Sequence, residues 1–157
     1  MKLPDPISRL VRELAELPSI GPRQATRLAF HLVNQGKNVI GNLAASIGGL
    51  EKIKICSRCF FVHENPDDLC AICGNTKRDR NVIAIVEKET DLLSIENTKK
   101  FKGRYCILGE IPRTGMLREW QKLRLQNLKS FIEKNQGKAE EIILAFNPTS
   151  VGDWNAS

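Results

Sequence analysis

Cys56-Ser-Arg-Cys59 and Cys70-Ala-Ile-Cys73 are the two stretches that decide the fold of this 157-residue chain. Each has two residues between its cysteines, and ten residues separate the two pairs. This spacing lets two tight turns direct four sulfur atoms at one point, as a tetrahedral zinc site requires. Because four thiolates leave no open position for water, the site is expected to be structural. We therefore predict one zinc ion per chain, bound by Cys56, Cys59, Cys70 and Cys73.

The alternatives to a zinc site are four unrelated buried cysteines or a redox-active Cys-x-x-Cys pair. His63 could compete for the metal, but with four thiolates available we expect it to be a solvated loop residue. Cys106, the fifth cysteine, lies in an apolar stretch and is expected to be a small core residue.

The composition is that of a folded protein, with 41% apolar and 27% charged residues. No apolar run approaches the roughly 18 residues of a membrane span, and the first residues, Met-Lys-Leu-Pro-Asp-Pro, lack the apolar core of a secretory signal. We expect a cytoplasmic protein, where thiols stay reduced and can bind zinc. The net charge is +6, and residues 1–55 carry eight basic against four acidic residues, which favours polyanionic partners.

The N-terminal third predicts helices joined by a tight turn. A helix is expected to start at Asp5-Pro6, with Asp5 as its cap, and to end near Leu17-Pro18. A second helix follows Ser19-Ile20-Gly21-Pro22 and ends at Gly36, and a third covers residues 37–53. The turn resembles a helix-hairpin-helix, which presents backbone N–H groups to a nucleic-acid phosphate.

Three residues in and just after this turn are candidates for DNA contact: Gly21, Arg23 and Arg27. Ser19 replaces the first glycine of the usual turn, so we expect Gly21 alone to supply unrestricted backbone. Arg23 and Arg27 lie four residues apart, hence on one helix face, from which both could reach phosphates. The alternative is an ordinary solvated helix face.

The residues after the charged connector 77–80 alternate between strands and helices. Strands are predicted over 81–86, 105–108 and 141–146, and helices over 91–98 and 127–135. This alternation predicts a parallel α/β sheet. The full chain is therefore expected to be multi-module, with a helical module over 1–55, a four-cysteine zinc finger over 56–76 and an α/β domain over 77–157.

The carboxyl ends of these strands form the expected functional edge. Glu87 follows the first strand, and Asn147-Pro-Thr-Ser-Val-Gly-Asp153 follows the third. This resembles the Toprim domain, whose Glu and Asp-Pro-Asp-x-Glu-Gly-Glu-like segment hold Mg²⁺. Here Asn147, Thr149 and Val151 replace three of the acids, and Asp153 keeps the last. Glu87 could equally be a helix-start acid, with Asp91 as a cap.

The combination of modules resembles the RecR family of bacterial recombination mediators. The resemblance covers essentially the whole chain and includes Leu17–Leu32, the cysteine spacing, Ile85–Glu96, Tyr105–Gly109 and Asn147–Thr149. It implies a DNA-repair protein that is not an enzyme and that acts with RecO, in some contexts RecF, to help RecA load on single-stranded DNA coated by single-strand-binding protein. It also implies association with the nucleoid.

The resemblance further implies roles for named residues and an assembly. DNA contacts would fall on Gly21, Arg23 and Arg27, and partner contacts on Glu87 and Asp153. Family members form a ring-like tetramer that clamps DNA, and they continue beyond this chain's last residue with a swapped C-terminal segment. We therefore expect the chain to be a fragment or a divergent short form, with the tetramer in doubt.

Two functions of other classes stay open. One is a Mg²⁺-dependent Toprim nuclease or primase-like enzyme, for which the lost acids leave few metal ligands. The other is a zinc-stabilised protein-interaction module that does not bind DNA.

Overall fold

A computed structural model of the chain describes residues 2–112, 114–134 and 139–146. The chain divides into two compact units between Lys52 and Ile53. The four-cysteine stretch therefore lies in the same compact unit as the parallel sheet. Within the described residues, none of the helices is both long enough and apolar enough to span a membrane.

The first unit contains three helices and a short turn. Helix α1 covers Asp5–Ala15, α2 covers Pro22–Gln35 and α3 covers Lys37–Gly49, followed by a 3-10 turn at Leu50–Lys52. Helices α1 and α2 pack closely, with Ala25 and Ala29 fully buried. Small side chains at these two positions let the helix backbones approach each other.

Helix α1 starts at Asp5 as predicted, but the expected capping role of Asp5 and the expected end of the third helix are wrong. Asp5 is the first helical residue of α1 and makes no side-chain cap; Pro4 precedes it, and Pro6 lies in the first turn, where its missing N–H costs no helical hydrogen bond. The third helix ends at Gly49, because Gly48 and Gly49 weaken it and the chain tightens into the 3-10 turn.

The backbone of the turn between α1 and α2 also differs from expectation. Ser19, not Gly21, has the left-handed conformation, with φ of 66°, whereas Gly21 has an ordinary extended φ of −83°. The prediction that Gly21 supplies the unrestricted backbone is therefore wrong. A Cβ atom built on Gly21 would meet nothing within 4 Å, so neither backbone conformation nor packing within the chain requires glycine there.

The second unit begins with the cysteine-rich segment. Strands β1 (Lys54–Ile55) and β2 (Val62–His63) pair antiparallel, and α4 (Ala71–Gly74) is a single helical turn. A three-stranded sheet follows, built from β3 (Val82–Val86), β4 (Arg104–Ile107) and β5 (Glu141–Ala145), with helices α5 (Glu89–Asn97) and α6 (Glu119–Lys134) between the strands.

The sheet is parallel, as predicted, with the strand order β4-β3-β5. Its central strand β3 pairs Val86 with Ile107 of β4 and with Ala145 of β5, so the carboxyl ends of the three strands lie side by side. The mixed α/β architecture predicted from the sequence is therefore confirmed.

The residues of β3 alternate between two apolar clusters. One cluster lies on the face covered by α6 and consists of Ile83, Ile85, Cys106, Leu108, Ile111 and Leu128. The other lies on the face covered by α5 and consists of Ala84, Val86, Leu92, Tyr105 and Ile107. Because both faces are covered, the strand reads as a continuous apolar run in the sequence.

The two helices of this unit begin earlier than predicted. Helix α5 starts at Glu89, and Asp91 stabilises its start from the first turn: the Lys88 N–H donates to Asp91 Oδ2 at 2.9 Å. Helix α6 starts at Glu119 instead of 127. Its first turns lack an apolar stripe because the buried residue there is a glutamine, Gln121.

Replacing Ser19 with glycine is expected to stabilise the N-terminal unit. The left-handed conformation costs an L-residue about 1–2 kcal/mol, and glycine removes this strain. Glycine also loses more conformational entropy on folding, which offsets roughly 0.5–1 kcal/mol of the gain. Ser19→Gly should therefore raise the free energy of unfolding by about 0.5–1 kcal/mol, measured by urea denaturation followed by circular dichroism. Ser19→Val is the matched comparison and should lower it; equal stability of the two variants would contradict the assigned turn.

Candidate metal centre, sheet edge and hairpin surface

The structure brings the four predicted ligands together. The sulfur atoms of Cys56, Cys59, Cys70 and Cys73 all lie within 4.8 Å of one another, and all four residues are at most 2% exposed. They form no disulfide, and Cys59 Sγ lies 3.5 Å from Cys70 Sγ. A zinc–sulfur distance of about 2.3 Å places tetrahedral sulfurs roughly 3.8 Å apart, so this donor set fits a four-coordinate metal ion.

Backbone amides orient the sulfurs. The Cys70 N–H donates to Cys56 Sγ at 3.4 Å, and the Cys73 N–H, in α4, donates to Cys70 Sγ at 3.5 Å. Hydrogen bonds from the sulfurs of Cys59, Cys70 and Cys73, in that order of size, lower the pKa of Cys56. The hydrogen bonds to Cys56 raise the pKa of Cys59 and of Cys73, so a metal ion, which binds thiolates, has to displace the protons of these two thiols.

The cysteine-rich loop is held against the edge of the parallel sheet. The Ile107 N–H, on edge strand β4, donates to the Cys59 carbonyl oxygen at 2.9 Å. Phe60, which has a left-handed φ of 66°, packs against both apolar clusters of the sheet, and Phe61 packs against the cluster on the α5 face. The four-cysteine centre and the sheet therefore share one core.

Arg124 of α6 reinforces this junction. Its guanidinium carbon lies 4.7 Å from the centroid of the Phe60 ring and 4.8 Å from that of Trp120, and its Nη1 donates to the Ile107 carbonyl oxygen at 2.9 Å. The cysteine spacing does not predict this residue, because Arg124 contacts Phe60 of the cysteine-rich loop from a helix that is distant in the sequence.

His63 is not the solvated loop residue that was expected. It lies in β2, half-buried, and its Nδ1 accepts a hydrogen bond from the Asn65 N–H at 3.2 Å. The cluster of possible metal ligands found among the described residues contains the four cysteines and not His63. Packing of the short β1–β2 hairpin explains the difference.

Cys106 is fully buried in β4, which confirms its prediction as a core residue. It belongs to the apolar cluster on the α6 face, apart from the four-cysteine centre. Burial raises the pKa of its thiol to about 11, although the Arg124 charge opposes the shift.

At the carboxyl edge of the sheet, Glu87 directly follows β3 and is 6% exposed. Its predicted companion Asp153, with Asn147, Thr149 and Val151, lies outside the described residues. Whether Glu87 and Asp153 meet a partner stays a prediction.

Sequence reasoning missed Gln121 at this edge. It is fully buried, its Oε1 accepts from the Arg118 N–H at 2.9 Å, and its Nε2 donates to the carbonyl oxygens of Gly109 and Glu110 at 3.3 and 3.1 Å. Gly109 has a φ of 93°, and a Cβ there would lie 2.1 Å from the Trp120 ring, so glycine is required. The one signal in the sequence was a glutamine next to a tryptophan.

The hairpin surface, formed by Gly21, Arg23 and Arg27, lies in the N-terminal unit. Gly21 precedes α2 and is exposed, and Arg23 and Arg27 are exposed on the first two turns of that helix. The first N–H groups of a helix have no carbonyl of the same helix to bind, and they carry the positive end of the helix dipole. The three predicted residues thus lie at one end of one helix.

These features define a class: a multi-module α/β protein with a helical hairpin unit and a parallel-sheet unit that carries a four-cysteine centre. The family model described as "RecR, helix-hairpin-helix" matches residues 7–49, and that described as "Toprim domain" matches residues 81–156.

Curated relatives extend the match over nearly the entire chain. "Recombination protein RecR" of Anaeromyxobacter sp. (strain Fw109-5) is 40% identical over 159 residues, which cover 99% of this chain and 77% of the relative. The protein of the same name from Roseiflexus castenholzii (strain DSM 13941 / HLO8) is 38% identical over 98% of this chain and 74% of its own length. The chain belongs to the RecR family of recombination proteins.

Loss of one cysteine ligand is expected to unfold the centre and weaken the sheet edge. Cys59→Ser should lose the metal and lower the unfolding temperature, because metal binding is coupled to folding. The sheet edge is affected because the loop that loses its metal carries the backbone carbonyl oxygen of residue 59, which accepts the Ile107 N–H. Metal content by atomic emission and thermal unfolding by circular dichroism measure the two effects. Cys106→Ala is the control and should keep its metal; unchanged metal content and stability in Cys59→Ser would refute the centre.

Cys106 should resist thiol reagents that the metal-free centre accepts. Its raised pKa of about 11 keeps the thiol protonated at pH 8, and its side chain is fully buried. After chelation, iodoacetamide at pH 8 should label the four clustered cysteines before Cys106, as read by peptide mass spectrometry. Labelling of Cys106 first would contradict its burial in the sheet.

Proposed function

We propose that this chain is a DNA-binding recombination mediator of DNA repair. The observation that carries the proposal is its 40% identity to a "Recombination protein RecR" over 99% of the chain. The matches to both a helix-hairpin-helix model and a Toprim model support it, since they reproduce the family's order of modules.

DNA binding is assigned to the hairpin surface of Gly21, Arg23 and Arg27. Arg23 and Arg27 are exposed and have no acidic partner among the ion pairs of the described residues. Free amides at the start of α2, the helix dipole and two guanidinium groups would act on the same phosphate backbone. Open space beside Gly21 lets a phosphate approach the backbone.

The four cysteines would hold one structural zinc ion. The donor set is all sulfur and buried, and its two Cys-x-x-Cys pairs have the spacing typical of zinc sites. The ion's contribution is to hold the loop that contacts β4; it has no position for a substrate. We also propose that the sequence is organised as three modules, over residues 1–55, 56–76 and 77–157.

The partners are proposed to be RecO and, in some contexts, RecF, which together with this protein help RecA load on single-stranded DNA coated by single-strand-binding protein. Glu87 and Asp153 are the proposed partner contacts. The working form is proposed to be a homo-oligomer in the cytoplasm. Light scattering of the purified chain, alone and with RecO, tests both points.

We propose a mediator and not an enzyme. Asn147, Thr149 and Val151 stand where a catalytic Toprim segment has acids, so few carboxylates are left for Mg²⁺. The alternative nuclease requires Mg²⁺-dependent strand cleavage that Glu87→Gln abolishes. We expect labelled DNA to stay intact with the wild-type protein and Mg²⁺.

Reversing both charges on α2 is expected to weaken DNA binding. Arg23→Glu with Arg27→Glu should reduce affinity for a labelled oligonucleotide about tenfold or more. It should also lower the salt slope by roughly 0.7 for each phosphate of a single strand that the protein no longer neutralises. Fluorescence anisotropy over a range of salt concentrations measures both quantities.

The matched control makes the same charge change on α1. Arg9 and Arg12 are also exposed, so Arg9→Glu with Arg12→Glu alters net charge equally in the same unit. An equal loss in the two double variants would refute the hairpin site. Gly21→Ala sharpens the test: it should leave stability unchanged, since nothing lies near its Cβ, while reducing DNA affinity by blocking the phosphate.

A further inference from the structure

A buried arginine lies between the four-cysteine centre and α6 without a hydrogen-bonding partner for most of its head group. Arg104, the first residue of β4, is 3% exposed. Its Nε and Nη1 atoms are buried and have no hydrogen-bond partner within the described parts of the chain. A buried cation without compensation is unfavourable, so an opposite charge or a ligand has to offset it.

Arg58 shares the same surroundings. It lies within the first Cys-x-x-Cys pair, and its Nη1 donates to the Cys73 carbonyl oxygen at 3.3 Å. The guanidinium carbons of Arg58 and Arg104 lie 4.6 and 5.5 Å from the centroid of the same ring, that of Phe131 in α6. Two cations on one ring repel each other, and a cation–π contact offsets only a small part of the cost of burying a cation.

Nearby carboxylates do not supply the missing charge. The ion pairs of the described residues involve neither Arg58 nor Arg104. Burial lowers the pKa of Arg104, and the positive charge of Arg58 lowers it further. Arg58 lies between two of the cysteines and donates to the Cys73 carbonyl oxygen, and Arg104 meets Arg58 on the Phe131 ring, so the four-cysteine centre is the neighbouring group that can supply negative charge.

The adjoining cavity is too small for an anionic ligand. It is lined by Arg58, Ile83, Arg104, Tyr105, Leu128 and Phe131 and has a volume of about 10 Å³. That is the room of a single water molecule at most, and a phosphate or carboxylate does not fit.

A metal-loaded centre has the charge that these arginines need. A divalent cation with four thiolates has a formal net charge of two minus, which equals the two positive charges on Arg58 and Arg104. We propose that Arg58 and Arg104 are the counter-charges of the metal centre, so that metal binding is coupled electrostatically to β4 and α6 of the sheet unit. This proposal depends on the proposed metal site.

The coupling has a consequence in each direction. With metal bound, Arg104 is compensated, and the edge of the sheet is stabilised by charge as well as by packing. Without it, the buried Arg104 and the half-buried Arg58 remain as two cations against one phenyl ring, so metal loss destabilises β4 and α6 beyond the loop that holds the cysteines. Conversely, replacing Arg104 with an uncharged residue should weaken metal binding. It should also stabilise the metal-free protein, because the uncompensated buried charge is gone.

The test is the affinity for Co²⁺ and Zn²⁺ of the whole chain and its variants. Co²⁺ binding is followed by the absorption of the tetrahedral thiolate complex, and Zn²⁺ by competition with a coloured chelator. Arg104→Met should lose roughly tenfold or more in affinity, since an opposite charge acts strongly in a poorly solvated site. Its metal-free form should unfold at the same or a higher temperature than the wild-type protein.

Three further variants separate charge from packing. Arg104→Lys keeps the charge and should retain most of the affinity. Arg58→Met, at a half-buried position, removes the second charge with less risk to folding and should also lose affinity. Arg124→Met is the matched control, because Arg124 also stacks on aromatic rings and donates to a backbone carbonyl, and it should keep wild-type affinity.

Each outcome decides the proposal. Equal affinities for wild type, Arg104→Met and Arg58→Met would overturn the counter-charge role alone and leave the metal site standing. An equal loss in Arg104→Met, Arg104→Lys and Arg124→Met would make Arg104 a packing residue and would overturn it too. Failure of the wild-type protein to bind either metal would overturn both this proposal and the metal site.

Discussion

The hydrogen bond from the Ile107 amide to the Cys59 carbonyl oxygen is the contact on which the larger unit of this protein depends. Strand β4 is an edge strand, and an unpaired edge amide is both costly when buried and open to pairing with another chain. The cysteine-rich loop covers that edge. Because the loop is too short to hold its own shape, the convergence of four sulfurs has to fix it, so the stability of the edge depends on the four-cysteine centre and on the metal ion proposed for it.

The same loop links the two apolar faces of the sheet. Phe60 packs against both apolar clusters, and Arg124 stacks between Phe60 and Trp120, which connects the metal centre to the start of α6. From there Gln121 holds the Gly109–Glu110 carbonyls at the carboxyl edge of the sheet. A continuous chain of contacts therefore runs from the cysteines to the edge at which Glu87 lies.

The hairpin unit contains a backbone constraint at a different residue from the one that the sequence suggested. A glycine at position 21 suggested a backbone constraint, yet the constrained residue is Ser19, and Gly21 has both ordinary backbone angles and free space beside it. This free space is what the phosphate contact proposed for Gly21 requires.

The sequence by itself determined the features that depend on local pattern. The doubled Cys-x-x-Cys spacing predicted four converging sulfurs. The apolar run of β3 and the alternation of strands and helices after it predicted a parallel sheet. Both predictions were possible because each pattern is formed by residues that are close together in the sequence. Helix starts at α5 and α6 were misplaced where polar residues, Asp91 and Gln121, stabilise the first turn in place of an apolar stripe. Tertiary structure alone decided that Arg58 and Arg104 meet on Phe131 and that the Cys59 carbonyl pairs with Ile107. These contacts join residues far apart in the chain, and burial and charge fix them only once the sheet has formed.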